Sequence, residues 1–173
     1  LVRGYNQIKV NNLADKVWFY DFADDGDRIN EKEYNFGIMH SYTGNVPYSA
    51  KYAYLALAAF NKMTEGAISV REVYNTDYSF ITRYHSYDYN RNSYLLWTSK
   101  QSEQTISWKF GENVKFYDLL GNEISKESVM KDGKYIVSGE PYWAVEGDAP
   151  TSCEASSSAT HIFCVKNGIG IDE

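Results

Sequence analysis

The chain has 173 residues, of which 43% are hydrophobic and 16% aromatic, and its formal net charge is -6 at pH 7. This length accommodates one ordinary domain or two small ones, with enough apolar material for a sizeable core. The negative charge and the scattered Lys and Arg residues provide no basic stripe for a phosphate backbone, which argues against a nucleic-acid partner. The longest apolar run, residues 53–60, is far shorter than the roughly 20 residues that cross a bilayer, so no membrane segment is predicted.

The first part of the chain is predicted to contain a helix, a strand and a polar loop. Leu1, Tyr5 and Ile8 have close to helical spacing, which predicts a helix over residues 1–10. The run VWFYDF, residues 17–22, is almost wholly apolar and is typical of a strand buried on both faces, as parallel strands are in α/β proteins. A polar loop is expected from there to about residue 47.

A second helix is predicted in SAKYAYLALAAFNKMTEG, residues 49–66. Ser49 stands where an N-cap is expected, the interior is rich in Ala and Leu, and Gly66 is placed as a C-terminal stop. Because its surface is unusually apolar, we expect this helix to pack against more than one neighbour.

Seven short β-type runs follow between residues 67 and 147, separated by turn sequences such as YNRNS and KDGK. In TISWKF the alternation places Ile106, Trp108 and Phe110 on one face of a strand. Short strands at this spacing, with no helix between them, predict an antiparallel sandwich or barrel.

The last 26 residues have a different composition. Residues 148–161 are rich in Ser and Ala and resemble a linker, and IFCVKNGIGIDE is predicted to add one last strand. Cys153 and Cys164 form a disulfide in an oxidising compartment or stay as two free thiols, and the sequence leaves both open. Neither has the CxxC or Cys-His spacing of a zinc site.

The acidic stretch WFYDFADDGD, residues 18–27, has the composition of a metal or catalytic site but not the spacing. If Gly26 occupies the sixth position of an EF-hand loop, Ala23 and Lys32 occupy the third and twelfth positions, where ligands are required. Two acids adjacent in sequence, such as Asp24 and Asp25, usually point in different directions, whereas glycosidic cleavage needs two carboxyl groups roughly 5 to 9 Å apart. We therefore predict no metal, no cofactor and no catalytic residue in this chain.

Residues 16–63 resemble the last strand, loop and helix of the clan A glycoside hydrolases, which are (β/α)8 barrels. The matching pieces are Tyr20-Asp21-Phe22, Asp24-Asp25-Gly26, Asn35-Phe36-Gly37, Pro47, Ala50 and Tyr52-Ala53. The runs SYLLWTS, VKFYDLLGNEI and GKYIVSGEPYWAVEG resemble the small β-sandwich that follows such barrels. The resemblance implies an α+β chain: the last helix-strand-helix elements of a (β/α)8 barrel over residues 1–66, an antiparallel β-sandwich over 67–147, and a tail over 148–173.

The resemblance also implies a function. Clan A enzymes hydrolyse O-glycosidic bonds with retention, using a Glu after strand four and a Glu at the end of strand seven. Both strands are expected upstream of this chain, so the chain alone should be inactive. Trp18, Tyr20, Asp21 and Asp24 would then line the sugar pocket from strand eight, although Phe19 stands where many relatives carry Trp.

The resemblance implies two partners, an oligo- or polysaccharide and the remainder of the barrel. The remainder of the barrel would be upstream polypeptide or another chain. An extracellular or periplasmic location is expected. The alternative is a non-catalytic carbohydrate-binding or assembly module, for which YHSYDYNRNSY, residues 84–94, would supply an aromatic strip. For Asp21 and Asp24, a role in capping and turn stabilisation is also open.

Overall fold

The computed structural model describes residues 1–43, 45–147, 154–155 and 162–163. Helix α1 spans Val2–Val10, a 3-10 helix spans Lys32–Asn35, and α2 spans Tyr52–Met63. Both predicted α-helices are present. Within these described ranges no helix has the length and apolarity required to cross a membrane.

The start of α2 differs from the prediction at Ser49. The N-cap position is occupied by Lys51, which makes no side-chain capping bond. Ser49 instead lies in a short antiparallel pairing, where its carbonyl oxygen accepts a hydrogen bond from the His40 N–H at 2.9 Å. At the other end the predicted stop is present, because Gly66 adopts a left-handed φ of 67° directly before the first strand.

All seven predicted β-type runs contain strands. The strands of the β region are β1 (Ala67–Thr76), β2 (Ser79–Ser86), β3 (Arg91–Thr98), β4 (Gln104–Ile106), β5 (Lys115–Tyr117), β6 (Glu123–Ile124), β7 (Met130–Lys131), β8 (Lys134–Val137) and β9 (Tyr142–Glu146). A second 3-10 helix, Lys126–Val129, precedes β7.

These strands form two antiparallel sheets, as predicted for a sandwich. The larger has six strands in the order β1-β2-β3-β9-β5-β6, and the smaller has three in the order β4-β8-β7. Strands β3 and β9 are distant in sequence but pair at the centre of the large sheet, with Tyr94 opposite Ala144 and Leu95 opposite Trp143.

Alternation along these central strands gives the large sheet two buried faces. Tyr94, Leu96 and Ala144 join the core shared with the small sheet, which also contains Ile106 and Phe110. That confirms the predicted inward face of TISWKF, although β4 itself ends at Ile106.

The opposite face of the large sheet is covered by the two helices. Leu95, Trp143 and Val145 pack there with Phe60 of α2 and Val2 of α1. The fold therefore has three layers: helices, a six-stranded sheet and a three-stranded sheet. Because α1 and α2 share this core with the sheet, the loop between them is attached to a rigid support.

In the tail, Glu154–Ala155 and Ile162–Phe163 pair as two short antiparallel strands, β10 and β11. The second lies within the predicted last strand. Cys153 and Cys164 lie outside the described residues. A disulfide and two free thiols therefore both remain open.

Candidate functional site

The predicted strand at residues 17–22 is not a strand in the structure. Its side chains are exposed, with Trp18 at 83%, Tyr20 at 70% and Phe22 at 58% of their maximal surface. The prediction of a strand buried on both faces is therefore wrong for this chain. The physical reason is that a parallel strand is buried when it lies inside a sheet whose two faces are covered by helices, and in the described part of the chain this segment pairs only with residues 38–39.

The segment that pairs with residues 21–24 is residues 38–39. The Ile38 N–H bonds to the Asp21 carbonyl at 3.2 Å, the Met39 N–H to the Phe22 carbonyl at 3.0 Å, and the Asp24 N–H to the Met39 carbonyl at 3.0 Å. Ala23 and Met39 form a parallel bridge. The direction of pairing is the one found in parallel sheets.

The other side of residues 38–40 pairs with the residues that lead into α2. Met39 forms an antiparallel bridge with Ala50, and the Lys51 N–H donates to the Ile38 carbonyl at 3.0 Å. The extended segment at 21–24 is thus connected through one central segment to the start of α2. Its position relative to the sandwich is fixed in this way.

Asp24 is the predicted site residue that organises this region, and its side chain is 4% exposed. Its Oδ1 accepts a 2.9 Å hydrogen bond from the Gly37 N–H and a 2.6 Å ion pair from the Lys51 Nζ. His40 Nδ1 lies 3.8 Å from the Asp24 Oδ2. A buried carboxylate needs such partners, since an unpaired one would be strongly destabilising.

Gly37 is required by the same geometry. A Cβ at this position would meet the backbone nitrogen of Asp24 and the carbonyl carbon of Ala23 far inside van der Waals distance. Only glycine allows residues 37–39 to approach residues 21–24 closely enough for the backbone pairing. The glycine of the NFG triplet is therefore explained by packing.

The remaining predicted site residues lie at the surface. The Tyr20 hydroxyl donates to the Asp25 Oδ2 at 3.1 Å, and the peptide bond between Tyr20 and Asp21 is cis. Asp21 is half-buried and accepts a hydrogen bond from the Phe22 N–H at 2.5 Å. Trp18 and Tyr20 thus present aromatic rings to solvent, with the Tyr20 hydroxyl on the Asp25 carboxylate, an arrangement suited to binding a polyhydroxylated ligand.

The structure separates the tyrosines of residues 84–94. Tyr84 and Tyr94 point to opposite faces of the large sheet and are buried in its two cores. The Tyr89 hydroxyl donates to Glu65 at 3.2 Å, and its ring lies against the Arg91 guanidinium. Tyr87 is left as the exposed ring of this segment, at 76%. These tyrosines do not form a continuous strip.

Three members of this site were not predicted from the sequence. Lys51 and His40 reach Asp24 from 27 and 16 positions further along the chain, and no periodicity connects them. Gly37 carried a signal, because a glycine next to aromatic residues in a polar loop often marks close backbone approach. Across the described ranges, no group of three or more His, Cys, Asp or Glu side chains is arranged to hold a metal ion.

Comparison with known proteins adds a structural relationship. No family model and no curated protein sequence matches the chain. Among solved structures, the chain is similar to a family 39 glycoside hydrolase from the gut symbiont Bacteroides cellulosilyticus WH2, with a TM-score of 0.67 and 22% sequence identity. The match covers 83% of this chain and 29% of that chain, so this chain spans well under half of the neighbour's length.

An α-amylase from Anoxybacillus also matches, at a TM-score of 0.39 and 13% identity, over 56% of this chain and 23% of that one. This second similarity is too low to define a common fold. The first is sufficient, and it agrees with the resemblance found in the sequence. The chain has the fold of part of a family 39 glycoside hydrolase, a mixed α and β arrangement with an antiparallel β-sandwich.

Proposed function

We propose that this chain is the C-terminal portion of a retaining glycoside hydrolase that acts on O-glycosidic bonds. In this proposal the aromatic segment at residues 17–22 is the eighth strand of a (β/α)8 barrel, and residues 67–147 form an accessory β-sandwich. The observation that carries the proposal is the structural match over 83% of this chain with a glycoside hydrolase whose own chain is matched over 29%.

The exposed aromatic segment supports the same proposal. Val17, Trp18, Phe19, Tyr20 and Phe22 are all exposed within six residues, and soluble proteins rarely leave such a patch uncovered. The segment already pairs on one side with residues 38–39 in the parallel direction. A further parallel strand on the side away from residues 38–39, from upstream polypeptide or from another chain, would continue this pairing and begin a barrel wall.

Each of the four site residues has a role in this proposal. Trp18, Tyr20 and Asp21 contact the sugar, and Asp21 lies near the C-terminal end of the strand, where barrel enzymes place their active sites. Asp24 lies behind them and holds the loop through Gly37 and Lys51. The catalytic Glu residues belong to strands four and seven of such a barrel, so this chain contributes a wall of the pocket and no reacting group.

Hydrolysis assays with aryl glycosides test the proposal. We expect no turnover by residues 1–173 alone, and turnover once the sequence encoded upstream of Leu1 is present in the same polypeptide or added as a second chain. In the active form, Trp18→Ala should raise KM or lower kcat about tenfold or more, since a lost ring contact costs about 1 to 2 kcal/mol. Tyr87→Ala, which removes an equally exposed ring from the sandwich, is the matched control.

Turnover by residues 1–173 alone would reject the assignment as a non-catalytic portion. The alternative of a carbohydrate-binding module is tested by glycan-array binding of the same chain. Binding that is lost in Tyr87→Ala and Tyr89→Ala but retained in Trp18→Ala would favour that alternative. The separation of these tyrosines in the fold argues against it.

A further inference from the structure

Two tyrosines stack on each other at the tip of the loop that leads into α2. We call residues 42–43 and 45–48 the platform loop. Tyr42 and Tyr48 lie on opposite sides of it, with ring centroids 6.4 Å apart and ring planes at 29°. The base of the loop is closed by the bridge between Met39 and Ala50 and by the bond from the His40 N–H to the Ser49 carbonyl. Backbone pairing therefore joins the chain before Tyr42 to the chain after Tyr48.

Both rings face solvent although they would gain from burial. Tyr42 is 64% and Tyr48 is 53% exposed. Tyr48 also has a left-handed φ of 54°, which costs a non-glycine residue about 1 to 2 kcal/mol. Such an outlier in a bulky residue persists only where the surrounding structure imposes it, and such positions concentrate at binding sites. The strained backbone at Tyr48 places its ring beside Tyr42.

We call the exposed rings of Trp18 and Tyr20 the aromatic wall. The segment at residues 37–39 connects this wall to the platform loop. Met39 bridges Ala23 on one side and Ala50 on the other. The Asp24 carboxylate accepts a hydrogen bond from the Gly37 N–H and pairs with the Lys51 ammonium. Gly37 and Lys51 lie before and after the platform loop in the sequence. Wall and loop are consequently fixed to each other by backbone pairing and a buried ion pair.

We propose that Tyr42 and Tyr48 form an aromatic platform that binds a sugar ring of an oligosaccharide beside the wall formed by Trp18 and Tyr20. The inference rests on the proposed function and extends it to a second binding position. A pyranose presents a face of C–H groups that packs against electron-rich aromatic rings, while its hydroxyl groups stay hydrated at the edges. An exposed pair of nearly parallel rings suits this neutral, partly apolar ligand.

The test uses the polypeptide as its gene encodes it, with whatever sequence precedes Leu1. Calorimetry measures the affinity for β-1,4-linked glucose, xylose and mannose oligosaccharides and for α-1,4-linked glucose oligosaccharides, from the monosaccharide to the hexasaccharide. We expect Tyr42→Ala and Tyr48→Ala each to weaken binding of the hexasaccharide of the preferred series about tenfold, as loss of one stacked ring predicts. Monosaccharide affinity should be unchanged, and Tyr42→Phe should bind within about twofold of wild type because it keeps the ring.

Tyr78→Ala is the matched control, because Tyr78 is 65% exposed and also has a positive φ, of 62°, but lies in the turn between β1 and β2. Tyr42→Ala tests the platform without altering the strained position, should Tyr48→Ala fail to fold. If Trp18→Ala weakens oligosaccharide binding but Tyr42→Ala and Tyr48→Ala do not, the platform would be overturned and the proposed function would not. No binding of any oligosaccharide by the wild type would overturn the proposed function together with the platform.

Discussion

Tyr84 of β2 donates a 2.7 Å hydrogen bond to the Asn6 side-chain oxygen of α1, and the Asn6 amide in turn donates to the Thr82 hydroxyl at 3.0 Å. All three side chains are almost completely buried between the helix layer and the large sheet. This polar connection fixes α1 on the sheet in one position, which apolar contacts alone specify less sharply. It connects the first helix of the chain to β2, more than 70 residues away.

Asn6→Ala should lower the free energy of unfolding by about 2 to 4 kcal/mol, because it leaves two buried hydroxyl groups without their partner. Urea denaturation followed by circular dichroism measures this. Asn11→Ala serves as the control, since Asn11 lies at the exposed end of the same helix and bonds only to Gln7. If Asn6→Ala and Asn11→Ala lower the free energy of unfolding equally, the buried hydrogen bonds of Asn6 do not stabilise the fold.

Tyr84→Phe should make the protein less sensitive to alkaline pH. Burial raises the pKa of the Tyr84 hydroxyl well above its usual value of 10, so the folded state keeps the proton that the unfolded state releases. The contribution of this group is therefore fully present below about pH 10 and is lost as pH rises toward the folded-state pKa.

The measurable quantity is the difference in unfolding free energy between wild type and Tyr84→Phe. We expect wild type to be more stable by about 1 to 2 kcal/mol at neutral pH, because of the Asn6 bond. That advantage should stay constant up to about pH 10 and shrink as the pH rises further. Tyr94 and Tyr142, whose pKa values are also raised by burial, are present in both proteins and cancel in the comparison. A difference independent of pH would refute the assignment.

Local patterns predicted the elements whose own periodicity and composition determine their conformation. TISWKF alternates with period two and buries Ile106 and Phe110 as expected, and the Ala-rich helix ends before Gly66. The failures have long-range causes. Residues 17–22 have the composition of a buried strand, but the strands that would bury them are not among the described residues. Ser49 has the chemistry of an N-cap, but pairing with His40 holds its backbone in an extended conformation.

The sequence indicated candidate site residues but not how they are arranged, because the arrangement depends on long-range contacts. The density of aromatic and acidic residues indicated Trp18, Tyr20, Asp21 and Asp24, but it did not distinguish the exposed rings from the buried carboxylate. That distinction depends on Lys51, which approaches Asp24 only after the 38–40 segment has paired on both sides. No local rule connects two residues across a loop of this kind.

Asp24→Asn should loosen the segment that carries the platform loop. Asparagine can still accept the Gly37 N–H bond but leaves the Lys51 ammonium without its charge partner, and removal of one member of a largely buried pair costs about 2 to 4 kcal/mol. Amide hydrogen exchange at Gly37 to Met39 should accelerate, while exchange in β3 and β9 stays slow. Asp25→Asn, at an exposed neighbouring position, should leave all of these rates unchanged.

Gly37→Ala and Gly4→Ala should have opposite effects on stability. At Gly37 the new methyl group would collide with the backbone of Ala23 and Asp24, whereas at Gly4 in α1 it meets nothing within 4 Å. The first variant should lose about 2 to 4 kcal/mol through forced separation of the paired segments, as overpacking does. The second should gain about 0.5 to 1 kcal/mol through improved helix propensity. Thermal unfolding of both variants in parallel gives the comparison, and equal melting temperatures would show that Gly37 is not closely packed.

Trp18→Ser should reduce self-association of the chain when residues 1–173 are prepared alone. The exposed rings at residues 17–22 and the single-sided backbone pairing form an edge that can accept a further strand, and such edges associate with one another when nothing covers them. Sedimentation velocity at increasing concentration should therefore give a mass above the 19.8 kDa of one chain. Trp18→Ser should shift the distribution toward one chain, and Tyr87→Ser, an equally exposed ring on a sandwich turn, should not. A wild-type chain that stays at the mass of one chain at every concentration would mean that this edge needs no cover, which would remove the strongest structural reason for expecting a neighbouring strand.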